Sequence, residues 1–170
     1  MRVPRLLGAL TAALLLLAIA PPAFADSGTT TATFILTGGT LSISLPATAN
    51  FGSSPATVDA QVINGSLGQV QVNDARNPPA GSGWVVTVIS AAFGGIAASA
   101  VSYTAGTITK LGTATYTAND PTNLTGVVAA ITASGITGSN SATWTPTIHI
   151  AVPAGTIAGT YSALITHSVT

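Results

Sequence analysis

The chain has 170 residues, of which 5% are charged; four Lys and Arg balance four Asp for a net charge of zero, and cysteine is absent. So neutral a chain offers no basic stripe to nucleic acid or anionic lipid, and a chain without cysteine must be held by packing and backbone pairing rather than by disulfides. At 47% hydrophobic residues its composition is the reverse of a disordered one.

Residues 1–25 read as a secretory signal peptide. "MRVPR" is a short basic start, "LLGALTAALLLLAIA" an apolar core too short to span a bilayer, and Ala23-Phe24-Ala25 a small-x-small cleavage site before Asp26. No second apolar run follows, so no membrane span is expected. Residues 26–170 are expected to form one secreted domain. It keeps two cations, Arg76 and Lys110, and four aspartates, Asp26, Asp59, Asp74 and Asp120.

From there the hydrophobic period is two. "TATFILT", "TLSISL", "QVQV", "GWVVTVIS", "SAVSYT", "TATYT", "VVAAIT", "TWTPTIHIAV" and "TYSALITHSVT" read as strands, rich in the β-branched and aromatic residues that suit a pleated surface. The clusters "GGT", "NGS", "NPPAGSG", "NDPTN", "GITGSN" and "PAGTIAG" read as turns between them. Short strands at this spacing predict an all-β domain, an antiparallel β-sandwich with a barrel-like closure as the alternative.

Chemistry is thinly supplied. His149 in "TPTIHIAV" reads as a strand histidine beside threonine, and no nucleophile elbow or metal-ligand spacing occurs. "NDPTN" holds oxygen ligands but one carboxylate, which favours an Asx-type turn over a calcium site. Asn64 and Asn123 match the glycosylation pattern in turn-like contexts. The sole lysine, Lys110, has no glutamate to catalyse a crosslink to asparagine. No catalytic residue, cofactor or metal site is therefore assigned, and the chain is not expected to be an enzyme.

Two stretches say more. "VNDARNPPAGSGWVVTV" joins a strand end, an Asp-x-Arg pair, a glycine-rich loop and a strand led by Trp84, with Val86 on the same face. In "GTYSALITHSVT" the alternation puts Tyr161, Ile165, His167 and Val169 on one side. Together they resemble the WxL domain of Gram-positive cell surfaces, in the divergent form seen in actinobacteria. A first W-x-L follows such a loop there, and a closing motif reads Y-x-x-x-hydrophobic-x-W-x-L. Trp84 and Val86 stand at the first motif. Tyr161, Ile165 and Val169 match the second, and His167 takes the place of its tryptophan.

The resemblance implies a non-catalytic surface protein attached non-covalently to the cell wall, through peptidoglycan or another wall polysaccharide, with other surface proteins as further partners. Trp84, Val86, Tyr161, Ile165, His167 and Val169 are then the candidate contact residues. A self-assembling subunit of a surface layer or fibre is the alternative, since strands with so few charges lack the usual guard against edge pairing. A hydrolase would need His149 or His167 beside an aspartate in a cleft.

Overall fold

A computed structural model describes residues 30–170; the expected signal peptide and its cleavage point lie outside the described residues. Among the described residues nine strands, all antiparallel, make two sheets. In chain order they are β1 (Leu41–Ser44), β2 (Gln61–Ser66), β3 (Val70–Asp74), β4 (Ser82–Ser90), β5 (Val101–Thr104), β6 (Thr109–Ala118), β7 (Val128–Trp144), β8 (Thr147–Val152) and β9 (Ile165–Val169). They lie within one unit, residues 36–170. Among the described residues the only helical turn is a 3₁₀ turn at Ala98–Ala100. The all-β antiparallel expectation therefore holds.

The large sheet is organised by β7. One edge of this 17-residue strand pairs with β6 from Ile131 to Thr143. The other edge takes β4 along its first half and β3 along its second. The strands β3 and β4 thus follow one another on the same row, interrupted by loop 75–81. Beyond them β1 pairs with β3 and β9 with β4. This brings β1 and β9 within 8 Å of each other at Cα and gives the sheet its nearly closed, barrel-like path. The small sheet has the order β2-β8-β5.

The core follows from alternation. Val70 and Val72 on β3, Trp84, Val86 and Val88 on β4, and Ala142 and Trp144 on β7 are buried, while their sequence neighbours turn outward. The small sheet answers with Val101 and Tyr103 on β5 and Ile148 and Ile150 on β8.

Four expectations need correction. "TATFILT" forms no strand. "GITGSN" is not a turn but the middle of β7, where Gly135 (φ 62°) and Gly138 (φ 71°) supply the left-handed backbone of an irregular strand that glycine accepts without strain. "TWTPTIHIAV" is two strands in two sheets, because Pro146 has no N–H to continue a ladder. "NGS" is strand, the end of β2, which the turn reading hid; the ring of Phe51 lies where a Cβ on Gly65 would be, so only glycine fits there.

Candidate functional site

The two motif strands are neighbours. Val86 pairs with Val169 and Val88 with His167, and the backbones of Val85 and Thr170 exchange hydrogen bonds at 2.9 and 3.1 Å. Ile165, His167 and Val169 share the inward face, as the alternation predicts. The strand is shorter than expected, however. Ser90 pairs with Ile165 and ends β4; one further bond, from Ala91 N–H to the Leu164 carbonyl, closes the contact, and Tyr161 to Ala163 pair with no strand. Tyr161 sits in the preceding loop, its ring against Gly94 and its hydroxyl donating to the carbonyl of Ile157 at 2.6 Å.

Trp84, Val86 and His167 are 2%, 0% and 8% exposed, and Ile165 and Val169 are half-buried against the core. These residues are packing groups, which leaves Tyr161 alone of the six at the surface.

Around Trp84 the interior holds a polar network. The indole Nε1 donates to Asn140 Oδ1 at 3.0 Å, and the Tyr116 hydroxyl donates to the same oxygen at 3.1 Å. Asn140 Nδ2 donates to Asp74 Oδ2 at 3.3 Å. Asp74, with no exposed surface, receives Arg76 Nε at 2.8 Å and Nη2 at 2.9 Å in a two-pronged pair. The Arg76 guanidinium beside Asp74 holds its carboxyl below the usual range despite burial, and the Asn140 amide adds to this. Burial raises the Tyr116 hydroxyl. The rings of Trp84 and Tyr116 are 5.5 Å apart, and Lys110 Nζ lies 5.7 Å over the Tyr116 ring. The Asp-x-Arg pair is thus a clamp that neutralises a buried carboxylate.

A second polar chain crosses between the sheets. Trp144 Nε1 donates to the Tyr103 hydroxyl at 2.7 Å, and that hydroxyl lies 3.4 Å from His167 Nε2. Burial drives the Tyr103 hydroxyl well above the usual phenol range and lowers His167 to about 4. At neutral pH His167 is an uncharged ring.

His149 ties the small sheet together: its Nδ1 lies 2.6 Å from Asn64 Oδ1 on β2 and its Nε2 3.1 Å from Thr104 Oγ1 on β5. Among the described residues, no hydrogen bond or ion pair joins either histidine to an aspartate, and no three potential ligands cluster for a metal ion. In "NDPTN", Asn123 accepts the Thr125 N–H at 3.4 Å, which is turn chemistry, while Asp120 (φ 40°) accepts the Ala105 N–H at 2.7 Å across 15 positions and ties the loop to the end of β5.

The outward face of the large sheet has a different character. Across β6 and β7, Thr109 faces Thr143, Thr113 faces Thr137, Thr115 faces Ser134 and Thr117 faces Thr132. The row continues through Gln71 and Asn73 on β3 to Ser44 and Ser42 on β1. Sequence reasoning missed this ladder because β6 and β7 pair in a register that irregularities at Gly112 and Gly135 set. The alternating "TATYT" was the one visible sign of it.

No protein-family model, no curated protein and no solved structure matches the chain.

Proposed function

We propose that the chain is a non-catalytic, exported surface protein that associates non-covalently with the Gram-positive cell wall, and that it does so through the outer face of its large sheet. The observation that carries this reading is the hydroxyl ladder of Thr113, Thr115 and Thr117 against Thr137, Ser134 and Thr132. An uncharged polysaccharide presents hydroxyl donors and acceptors at close intervals, and threonine offers both. Threonine on a strand is also stiff at χ1, so little side-chain freedom is lost on contact. Lys110 is the one charged side chain on β6, it pairs with inward-facing Ala142 rather than with the ladder, and β7 carries no charge. The resemblance of the motif strands to WxL domains supports the wall as the target; the buried motif residues would then shape the fold rather than touch the polymer.

The test is sedimentation of the exported protein with purified peptidoglycan, beside a variant with Thr113→Val, Thr115→Val and Thr117→Val. Valine keeps the shape and the strand preference but removes the hydroxyls. Co-sedimentation that the triple variant loses, with an unchanged melting temperature, supports the reading. Failure of the parent protein to sediment with any wall fraction overturns it.

A second reading, self-assembly by strand addition, is favoured by β6. Among the described residues its outer edge pairs with no strand, and Leu111 is 72% exposed. Size-exclusion chromatography across a concentration series separates the two: growth into larger species speaks for assembly, a monomer at all concentrations for wall binding alone.

A further inference from the structure

Away from the ladder, the inner faces of the two sheets part at one end. Loops 45–56 and 156–164 flank a cleft of about 800 Å³ there, within the roughly 300–1,000 Å³ common for small-molecule sites. Both sheets line it. Ile63 and Ile150 come from the small sheet, Val70, Ile165 and His167 from the large one. Phe51 and Phe93, with ring centroids 6.5 Å apart, add aromatic walls. The rim mixes apolar and uncharged polar groups: Leu45, Ile157 and Leu164 are 40%, 82% and 74% exposed, beside Thr48, Asn50 and Thr160. Among the described residues, no Asp, Glu, Lys or Arg lines the cleft.

Its floor carries one unmatched polar group. Trp144 Nε1–H occupies the Tyr103 oxygen as acceptor, so the Tyr103 proton is free to point at His167 Nε2. An uncharged imidazole that accepts at Nε2 carries its proton on Nδ1. Nδ1 is buried and has no partner among the described residues, and a buried donor without a partner costs free energy. His167 has no polar neighbour on its own strand to take that proton, since Ile165 and Val169 are its same-face neighbours.

We propose that this cleft binds a small, uncharged, largely apolar molecule whose hydrogen-bond acceptor takes the Nδ1–H of His167. The walls supply the hydrophobic contact, and the absence of ionic side chains selects against charged ligands, which would be desolvated without compensation. Nδ1 itself exposes less than 1 Å², so the acceptor reaches it as the covering side chains part. Loop 156–164 is the wall that gives way, since it contains no strand and its backbone bond to the segment after β4 comes only at its end, where Ala91 N–H bonds the Leu164 carbonyl at 2.9 Å. This site is separate from the threonine ladder, so either can fail without the other.

The experiment uses Nile red, an uncharged apolar dye with a carbonyl acceptor, titrated into the exported protein. Saturable binding with a blue-shifted emission is expected, together with a shift of the His167 Nδ1 resonance in ¹⁵N NMR. Leu164→Asp, at an exposed rim position, should weaken binding by about tenfold or more through the cost of desolvating a charge. His167→Phe, which keeps the ring but removes the donor, should weaken it by about tenfold, the worth of one such hydrogen bond. Absence of saturable binding overturns the proposal. So does binding that leaves the Nδ1 resonance and both variants unaffected.

Discussion

Trp84 and Asn140 stand 56 positions apart in the chain and meet in the core, the indole N–H donating to the amide oxygen at 3.0 Å. That same oxygen accepts the Tyr116 hydroxyl, and the amide nitrogen serves Asp74. One side chain thus satisfies three buried groups from β3, β4 and β6. Asn140→Leu fills similar space but orphans the Trp84 indole N–H, while Tyr116 keeps the Ser141 carbonyl at 3.3 Å and Asp74 keeps Arg76. One orphaned buried group costs about 1–3 kcal/mol, so a loss in that range is expected in denaturant unfolding. A loss below about 1 kcal/mol would mean that water replaces the amide.

The Asp74–Arg76 clamp predicts acid sensitivity of a definite sign. The pKa of Asp74 is lowered from 3.8 in the folded protein, first by its bond to Arg76. The unfolded chain therefore takes up the proton first as pH falls. The stabilisation is present above the unfolded value and drains away as pH drops through the folded one. Arg76→Ala leaves the buried carboxylate without its cation. The Arg76 side chain is 37% exposed, so solvent screening reduces the cost below that of a fully buried pair, to about 2 kcal/mol. In melts at neutral pH the variant should be less stable, and Asp74→Asn should recover part of the loss when added to it.

His167 gives a second window. Burial lowers it from 6.5 to about 4, so stability should be constant above about pH 7, decline between roughly 6.5 and 4, and level off below. The full span is at most about 3 kcal/mol by the usual conversion of pKa shift to free energy. His167→Phe removes the titrating ring and should flatten the profile in that window while leaving the Asp74 limb below it. Identical profiles for the two proteins between pH 7 and 4.5 would mean that His167 is solvated.

Gly65 offers a steric test. A methyl group there falls on the ring of Phe51, at the ring's attachment carbon as well as its edge, so the ring cannot simply swing its far end away. Gly65→Ala should cost about 1–3 kcal/mol, as overpacking does, and release Phe51 from the cleft wall. A neutral substitution would show that loop 45–56 repacks freely.

The fold class was legible because alternation is a local signal: Trp84, Val86, Val88 and Ser90 face inward in the structure as they do in the string. The inward parity of Ile165, His167 and Val169 was legible for the same reason, and so was the adjacency to apolar neighbours that makes His167 uncharged. What alternation cannot carry is which face meets another layer. Parity alone does not say what covers Trp84 or His167: Asn140, 56 positions away, meets the first, and Tyr103 on β5, 64 positions away, covers the second. Strand ends were equally out of reach, because β9 begins where β4 ceases to offer a partner rather than at any residue of its own. The same holds for "NGS" and "GITGSN", whose glycines mark a turn locally but serve a ring contact and an irregular long strand here. Composition and period fixed the kind of surface each strand presents; pairing across the chain decided which of those surfaces became the core, which the hydroxyl ladder and which the wall of a cleft, because each depends on contacts that no short segment contains.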